Sequence, residues 1–251
     1  MFPRKLRRWT QYAMSRLTTS CPLCGIAAKG GHCCKPCADD LCFDSGRLSY
    51  CDLCLASVAG GHVRCAACHD DPNSIKATVA GIAYDFPGDM LIQEFKESGR
   101  LDYGPALAGL MARSMRAALH PLDWPEMLIP VPASATSLRR RGFNPAAELC
   151  MQLSRQLDIP VRQQWLVCCG ERAPQKTLDL RQRRASVRGR YQCDENLPSM
   201  RVGLVDDVMT TGSTVREIAE VLLRQGARSI IVLVAARTPM VAADLAKSRH
   251  V

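Results

Sequence analysis

Four Cys-x-x-Cys pairs between residues 21 and 68 constrain this chain more than any other feature of its sequence. The pairs are Cys21/Cys24, Cys34/Cys37, Cys51/Cys54 and Cys65/Cys68. A Cys-x-x-Cys turn places two sulfurs on one side of a tight knuckle, at the separation that two corners of a tetrahedral zinc site require. Two knuckles that face each other complete a site of four thiolates. The segment therefore predicts two structural zinc sites, neither with an open position for catalysis.

The cysteine-rich segment is also an internal repeat. A Cys-x-x-Cys pair, a Gly-Gly-His turn and a second Cys-x-x-Cys pair occur in residues 21–37 and again in residues 51–68. We expect each half to be a small zinc ribbon that folds on binding its metal, with a free energy on the order of 10 kcal/mol per site. We prefer pairing of the knuckles within each half, although a cross-braced arrangement, first knuckle with third, fits the same spacings. His32 and His62 occupy matching positions of the repeat; we interpret them as turn residues, with a role as alternate metal ligands as the other interpretation.

The composition favours metal over disulfides as the role of these thiols. The chain has 251 residues, 14 cysteines and a formal net charge of +9. No apolar stretch reaches the length of about 18 residues that a membrane span needs, and the arginine-rich start lacks the apolar core of a secretory signal. We therefore expect a cytoplasmic protein without integral membrane association, in a compartment that keeps thiols reduced. The cysteines outside the segment, Cys150, Cys168, Cys169 and Cys193, are predicted to be buried thiols.

The remainder of the chain predicts an α/β domain. Strand character is found in residues 78–84, 127–131, 202–205 and 229–235, and helical spacing in residues 90–97, 105–119, 146–157 and 214–224. Apolar strands that alternate with helices imply a parallel sheet that is covered on both faces and binds ligands at the carboxyl ends of its strands. We divide the chain into a basic tail (1–20), a double zinc ribbon (21–74) and the α/β domain (75–251).

The strongest candidate ligand site follows the third of these strands. Residues 205–214 read Val-Asp-Asp-Val-Met-Thr-Thr-Gly-Ser-Thr. Hydroxyls and backbone N–H groups at the start of a helix suit a phosphate group, and Gly212 lets the backbone approach it closely. Asp206 and Asp207 would repel a phosphate, but adjacent carboxylates suit hydroxyl donors or Mg²⁺. A ribose 5-phosphate satisfies both parts of the motif.

This motif resembles the phosphoribosyl-pyrophosphate (PRPP) loop of type I phosphoribosyltransferases, in which hydrophobic residues precede DDxxTTGxT. The resemblance implies that Asp206 and Asp207 bind the two ribose hydroxyls of PRPP, which would be bound together with Mg²⁺. It also implies a 5-phosphate site in the loop, formed by Thr210, Thr211, Gly212, Ser213 and Thr214.

Further motifs resemble the ComF family. Residues 129–132 (Ile-Pro-Val-Pro) and 138–144 (Leu-Arg-Arg-Arg-Gly-Phe-Asn) are similar to its PVP and RxRGFN segments. The resemblance implies a type I phosphoribosyltransferase-like parallel sheet with helices on both faces, preceded by a small zinc-ribbon module. The sequence departs from the family at Pro145, where glutamine is usual, and at Ser186, where asparagine is usual, so the role of that asparagine is not carried over.

Positive charge is concentrated between residues 138 and 190, where 12 Lys and Arg outnumber 4 Asp and Glu. The pyrophosphate of PRPP or single-stranded nucleic acid would use such charge, and a solvated face is the alternative. The candidates for either anion, some of them taken from the family resemblance, are Lys96, Arg139, Arg140, Arg141, Gln175 and Arg183.

Three functions fit the sequence. The ComF resemblance implies a PRPP-binding protein of DNA uptake in natural transformation, whose partners are single-stranded DNA and competence or recombination proteins. A phosphoribosyltransferase would instead displace pyrophosphate from C1 of the ribose, but the sequence identifies neither the acceptor nor a general base. The GntX branch of the family suggests an accessory of carbon or iron–sulfur metabolism, in which the cysteines would hold an iron–sulfur centre.

Overall fold

The computed structural model describes residues 17–43, 50–58, 63–69, 75–169 and 189–238. Most of the predicted basic tail lies outside these ranges. His62, Gln175, Arg183 and Ser186 also lie outside the described residues.

Eight strands and seven helices occur in the described residues. The strands are β1 (Thr18–Ser20), β2 (Ala27–Lys29), β3 (Ala77–Ala83), β4 (Met127–Pro130), β5 (Val167–Cys168), β6 (Tyr191–Gln192), β7 (Arg201–Met209) and β8 (Ser229–Arg237). The helices are α1 (Lys35–Leu41), α2 (Ala66–His69), α3 (Gly88–Lys96), α4 (Gly104–Ala118), α5 (Ala135–Arg141), α6 (Pro145–Leu157) and α7 (Ser213–Arg224). Short 3₁₀ turns occur at Leu101–Tyr103 and Pro121–Asp123. Apolar periodicity located the four long strands and the four long helices of the α/β region, and it missed α5.

The central sheet contains four strands in the order β3-β8-β7-β4, and every neighbouring pair is parallel. Side chains alternate between the two faces of each strand. Along β8, Ile230 and Val232 belong to one apolar cluster, whereas Ile231 and Leu233 belong to the other. Both faces of the sheet are therefore covered, which confirms the predicted α/β fold class.

Different elements cover the two faces of the sheet. Helices α3, α4 and α6 supply Phe95, Leu107 and Leu149 to one face, which we call the α4 face. Helix α7 supplies Ile218 and Leu222 to the opposite face, which we call the α7 face. The connections that follow β4 and β7 thus leave the sheet on opposite sides, and this divergence opens a crevice at the carboxyl ends of the two strands.

The two halves of the cysteine-rich segment also lie on opposite faces of the sheet. The first half packs against the α4 face through Leu23 and Leu41, and the second half is part of the core of the α7 face. After the first half, Cys42 forms an antiparallel bridge with Ile82 of the edge strand β3. The N–H of Phe43 donates to the carbonyl of Gly81 at 3.0 Å. Residues 42 and 43 therefore pair with a sheet edge whose backbone groups would otherwise face solvent.

Candidate functional site

A cavity of about 310 Å³ lies at the carboxyl ends of β4 and β7. Pro130 of β4 pairs with Val205 of β7, so the loop that follows β4 meets the acidic residues that follow Val205. The charged and amide side chains that line the cavity are Lys96, Arg141, Asn144, Arg190, Asp206 and Asp207. The structure thus brings together four of the residues that the sequence predicted: both acids, Lys96 and Arg141.

The two carboxylates share a single nearby ammonium group. The Nζ of Lys96 lies 2.7 Å from Oδ2 of Asp207, whose side chain is only 12 % exposed. Burial, together with the neighbouring charge of Asp207, raises the pKa of Asp206 well above its ordinary value, and Lys96 opposes this effect. Because the ion pair of Lys96 is with Asp207, a further cation or a hydroxyl donor beside Asp206 would stabilise the ionised form of that carboxyl.

Of the three consecutive arginines, only Arg141 lines the cavity. Its Nη2 donates to Oε1 of Glu97 at 2.7 Å, and its Nε is buried without a hydrogen-bond partner among the described residues. Arg139 and Arg140 are exposed, and Arg140 lies 3.4 Å from Oε2 of Glu97. Successive helical residues point about 100° apart, so one turn of α5 divides these arginines between the cavity and the surface.

The sequence prediction did not assign Arg190 to this site. Its Nε is buried and has no hydrogen-bond partner within the described part of the chain, and its backbone N–H donates to Oε1 of Glu217 at 3.1 Å. Burial raises the pKa of that glutamate. In the sequence Arg190 is one arginine of a basic run, and no local signal distinguishes it from its neighbours.

Two polar side chains cap the starts of α5 and α6 beside the cavity. Ser134 caps the helix, because its Oγ accepts the N–H of Ser137 at 3.2 Å. Asn144 donates its Nδ2 to the carbonyl of Val131 at 3.0 Å and accepts the N–H of Ala146 at 3.1 Å. A serine that precedes a helix is a recognisable capping signal, but the sequence prediction included no helix at this place.

The predicted phosphate loop joins β7 to the amino terminus of α7. Gly212 has a φ of +77°, a backbone conformation that favours glycine, and a Cβ here would lie 2.8 Å from Cε of Met209, so the end of that side chain would have to move. The residue before α7, Gly212, has no side chain with which to cap the helix, although Oγ1 of Thr211 accepts the N–H of Ser213 at 3.4 Å. Thr210, Thr211 and Ser213 are exposed, a few residues beyond the acids that line the cavity.

The eight predicted ligand cysteines form two separate groups. The sulfurs of Cys21, Cys24, Cys34 and Cys37 lie within 4.8 Å of one another, and so do those of Cys51, Cys54, Cys65 and Cys68. We call these groups the first cluster and the second cluster. The knuckles therefore pair within each half of the repeat, as preferred, and the cross-braced arrangement is excluded.

The spacing of the sulfurs suits a tetrahedral metal. The Sγ atoms of Cys24 and Cys34 are 3.5 Å apart, and those of Cys54 and Cys65 are 3.6 Å apart. Four sulfurs at about 2.3 Å from one zinc would be separated by about 3.8 Å. All 14 cysteines are free thiols, so no disulfide competes for these ligands. Both clusters can therefore hold a metal ion such as zinc.

The other cysteines follow the sequence prediction only in part. Cys150 and Cys193 are buried, as expected, but Cys169 is exposed and Cys168 is half-buried. The prediction was wrong for these two because β5 pairs only with the short strand β6, away from the central sheet. His32 belongs to neither cluster and instead lies against Gly109 of α4, in agreement with its interpretation as a turn residue.

Curated proteins resemble this chain over most of its length. The DNA utilization protein YhgH of Escherichia coli O157:H7 is 31% identical over 222 residues, which cover 87% of this chain and 96% of that protein. Competence protein F of Haemophilus influenzae is 34% identical over 187 residues, which cover 72% of this chain and 81% of that protein. The chain belongs to the ComF family. No family model matches it.

Solved phosphoribosyltransferases are similar to this ComF-family protein at low identity. A purine phosphoribosyltransferase from Pyrococcus horikoshii is 22% identical, with a TM-score of 0.33 over 54% of this chain and 72% of that chain. A hypoxanthine phosphoribosyltransferase from Trypanosoma cruzi is 17% identical, with a TM-score of 0.33 over 61% of this chain and 75% of that chain. Within the described ranges, no helix combines the length and the apolar character that crossing a membrane requires.

Proposed function

We propose that this ComF-family protein binds PRPP together with Mg²⁺ in the cavity between β4 and β7, and that it acts in DNA utilisation in the cytoplasm. The observation that carries the proposal is the convergence of Asp206, Asp207, Lys96 and Arg141 on one cavity, a few residues before the amino terminus of α7. Carboxylates beside cations and a helix amino terminus suit a ligand that carries both hydroxyl and phosphate groups.

Each part of the cavity suits one part of PRPP. The acids would accept hydrogen bonds from the ribose hydroxyls, and the amino terminus of α7 would bind the 5-phosphate. Arg141 and Arg190 suit the pyrophosphate, because each has a buried Nε that lacks a hydrogen-bond partner in the described structure. Such an unsatisfied donor costs about 1–3 kcal/mol, and a bound anion would remove that cost.

Mg²⁺ would compensate the negative charge of Asp206 and Asp207, and oxygens of the pyrophosphate are also suitable ligands for it. Lys96 is the last residue of α3, so with Mg²⁺ bound its side chain would be free to turn from Asp207 towards the pyrophosphate. We therefore expect PRPP to bind far more weakly without Mg²⁺ than with it.

Calorimetry with PRPP and Mg²⁺ tests this proposal. The variant Asp206→Asn/Asp207→Asn should lose at least about 100-fold in affinity while remaining folded. The variant Asp194→Asn/Glu195→Gln makes the same change of charge at an exposed pair of adjacent acids, and it should bind as the wild type does. Equal binding by wild type and the Asp206/Asp207 variant would remove the acids from the site. Pyrophosphate release with a panel of nucleobases and amines would separate a transferase from a binding protein.

Binding of single-stranded DNA is the second function that a specific observation favours. Arg139 and Arg140 are exposed on α5, outside the cavity, where a polyanion would reach them. We expect anisotropy titrations over a salt series to show an affinity that falls steeply as salt rises. Arg139→Ala/Arg140→Ala should lower the salt slope by about 1.4, which is 0.7 per lost phosphate contact. No binding at low salt would overturn this candidate.

We also propose that both clusters hold zinc. Metal analysis should find two zinc ions per chain and no visible absorption. A brown protein that contains iron would instead support an iron–sulfur centre, as the GntX branch suggests.

A further inference from the structure

One buried and one half-buried arginine connect the second cluster to the phosphate loop. The loop leaves β7 at Met209 and enters α7 at Ser213, so it has one anchor in the sheet and one in the helix. The second cluster lies behind both anchors, on the α7 face of the sheet. One arginine reaches from the cluster to each anchor.

Arg237, the last residue of β8, forms the contact on the sheet side. It is only 1% exposed, which is rare for an arginine. Its Nε donates to the carbonyl of Cys54 at 2.8 Å, and its Nη1 donates to the carbonyls of Met209 and Thr210 at 3.1 and 2.5 Å. One planar guanidinium therefore joins a ligand residue of the cluster to the residues with which the loop begins.

Arg216 forms the contact on the helix side. It lies in the first turn of α7, where its backbone N–H donates to the carbonyl of Gly212 at 3.1 Å. Its Nη2 donates to Sγ of Cys68 at 3.0 Å. The two knuckles of the second cluster therefore contact the two ends of the loop separately, the first knuckle through Arg237 and the second through Arg216.

The negative charges of the zinc-bound cluster and of a bound phosphate explain why two arginines lie between the cluster and the loop. Four thiolates around one Zn²⁺ carry a net charge of −2, which would repel a phosphate bound in front of them. The guanidiniums of Arg216 and Arg237 lie between the cluster and the loop and supply two positive charges. Among the described residues, no arginine or lysine donates to a sulfur of the first cluster, which lies on the opposite face of the sheet.

We propose that Arg237 and Arg216 are positioning residues, through which metal bound in the second cluster fixes the conformation of the phosphate loop. The first cluster has no such role. The affinity for the phosphorylated ligand then depends on the second metal site although no ligand atom touches it, an inference that rests on the proposed PRPP site.

The test compares three variants of the full chain loaded with zinc. Arg237→Lys retains a charge but cannot span the same carbonyls, and Arg216→Met removes the contact with sulfur from a helix surface that tolerates methionine. The matched control is Arg113→Met, because Arg113 joins the first half to α4 through Asp39. For each variant we would measure zinc content, hydrogen exchange of the amides of residues 208–214, and calorimetric binding of PRPP with Mg²⁺.

We expect all three variants to keep two zinc ions. Arg237→Lys should raise the exchange rate of the loop amides by about tenfold or more, and Arg216→Met by a smaller factor, with parallel losses of PRPP affinity. Arg113→Met should change neither property. The proposal would be overturned if neither Arg216→Met nor Arg237→Lys changed the exchange rate of the loop amides. It would also be overturned if Arg113→Met raised that rate as much as they do.

The two readouts keep the proposals distinguishable. If the wild type does not bind PRPP, the proposed function fails, while hydrogen exchange still decides whether the cluster holds the loop. If Arg237→Lys does not fold, the comparison of Arg216→Met with Arg113→Met decides the question alone.

Discussion

The two cysteine clusters have almost the same spacing of cysteines but different surroundings. In the first cluster only Cys21 is buried, and Cys24 is exposed. In the second cluster all four cysteines are buried and belong to the apolar core of the α7 face. Similar spacing therefore builds a site at the surface in one half of the repeat and a site inside the core in the other.

The contacts of the two halves differ in the same way. The first half is joined to α4 by an ion pair between Arg113 and Asp39 that is partly open to solvent. The second half is joined to β3 and β8 by buried hydrogen bonds, from Thr78 to the carbonyl of Leu53 and from Arg237 to that of Cys54. The comparison teaches that a repeat specifies metal ligands locally, whereas neighbouring elements decide what each metal site supports.

Loss of one ligand should distinguish the clusters most strongly. Cys54→Ala removes a buried thiol that is also a predicted metal ligand. Without that ligand, the carbonyl of residue 54, which Arg237 binds, would no longer be held in place. We expect Cys54→Ala to lower the free energy of unfolding by at least about 4 kcal/mol. Cys24→Ser, at an exposed position, should leave the α/β domain folded. Urea denaturation followed by circular dichroism, with zinc content measured in parallel, checks the difference, and similar losses in the two variants would contradict it.

Metal removal should separate the clusters in time. A chelator reaches the exposed thiol of Cys24 directly, whereas the second cluster releases its metal only when the core opens. We expect a chromogenic chelator to remove one zinc quickly and the other at least about tenfold more slowly. The fast phase should be absent in Cys24→Ser, and a single phase in the wild type would show that the difference in burial has no kinetic consequence.

A glycine of α4 tests how the first half is attached. A Cβ at Gly109 would lie 2.5 Å from Nδ1 of His32. Gly109→Ala should therefore displace the first half and speed its proteolysis, although alanine favours a helix by about 1 kcal/mol. In Gly109→Ala/His32→Ala the clash is absent, so the melting temperature should rise above that of His32→Ala. If the melting temperature does not rise, the glycine is required by its other surroundings in α4 and not by its contact with His32.

The smallest effect is expected at the ion pair of the first half. Arg113 and Asp39 are 46% and 37% exposed, and solvent screens such pairs. Arg113→Met should lower the melting temperature by less than about 2 °C, whereas Arg237→Lys should lower it by several times more. Differential scanning calorimetry measures both, and equal shifts would mean that burial does not distinguish the two arginines.

The sequence by itself determined the parts of this protein that depend on local spacing. Cys-x-x-Cys pairs brought the eight ligands into two clusters, and apolar periodicity placed the long strands and helices of the α/β region. The parallel topology also followed, because alternating strands and helices have few other arrangements. The sequence also predicts a ligand site at Asp206 and Asp207, because two acids between an apolar run and a glycine loop are a local pattern.

Only the tertiary structure decided which distant residues meet. It placed Lys96 against Asp207, directed Arg141 rather than Arg139 or Arg140 into the cavity, and added Arg190. It also placed the repeat halves on opposite faces of the sheet and buried Arg237 between a cysteine knuckle and the phosphate loop. These contacts join residues far apart in the chain, and their stability depends on burial and mutual geometry, which residue spacing does not encode.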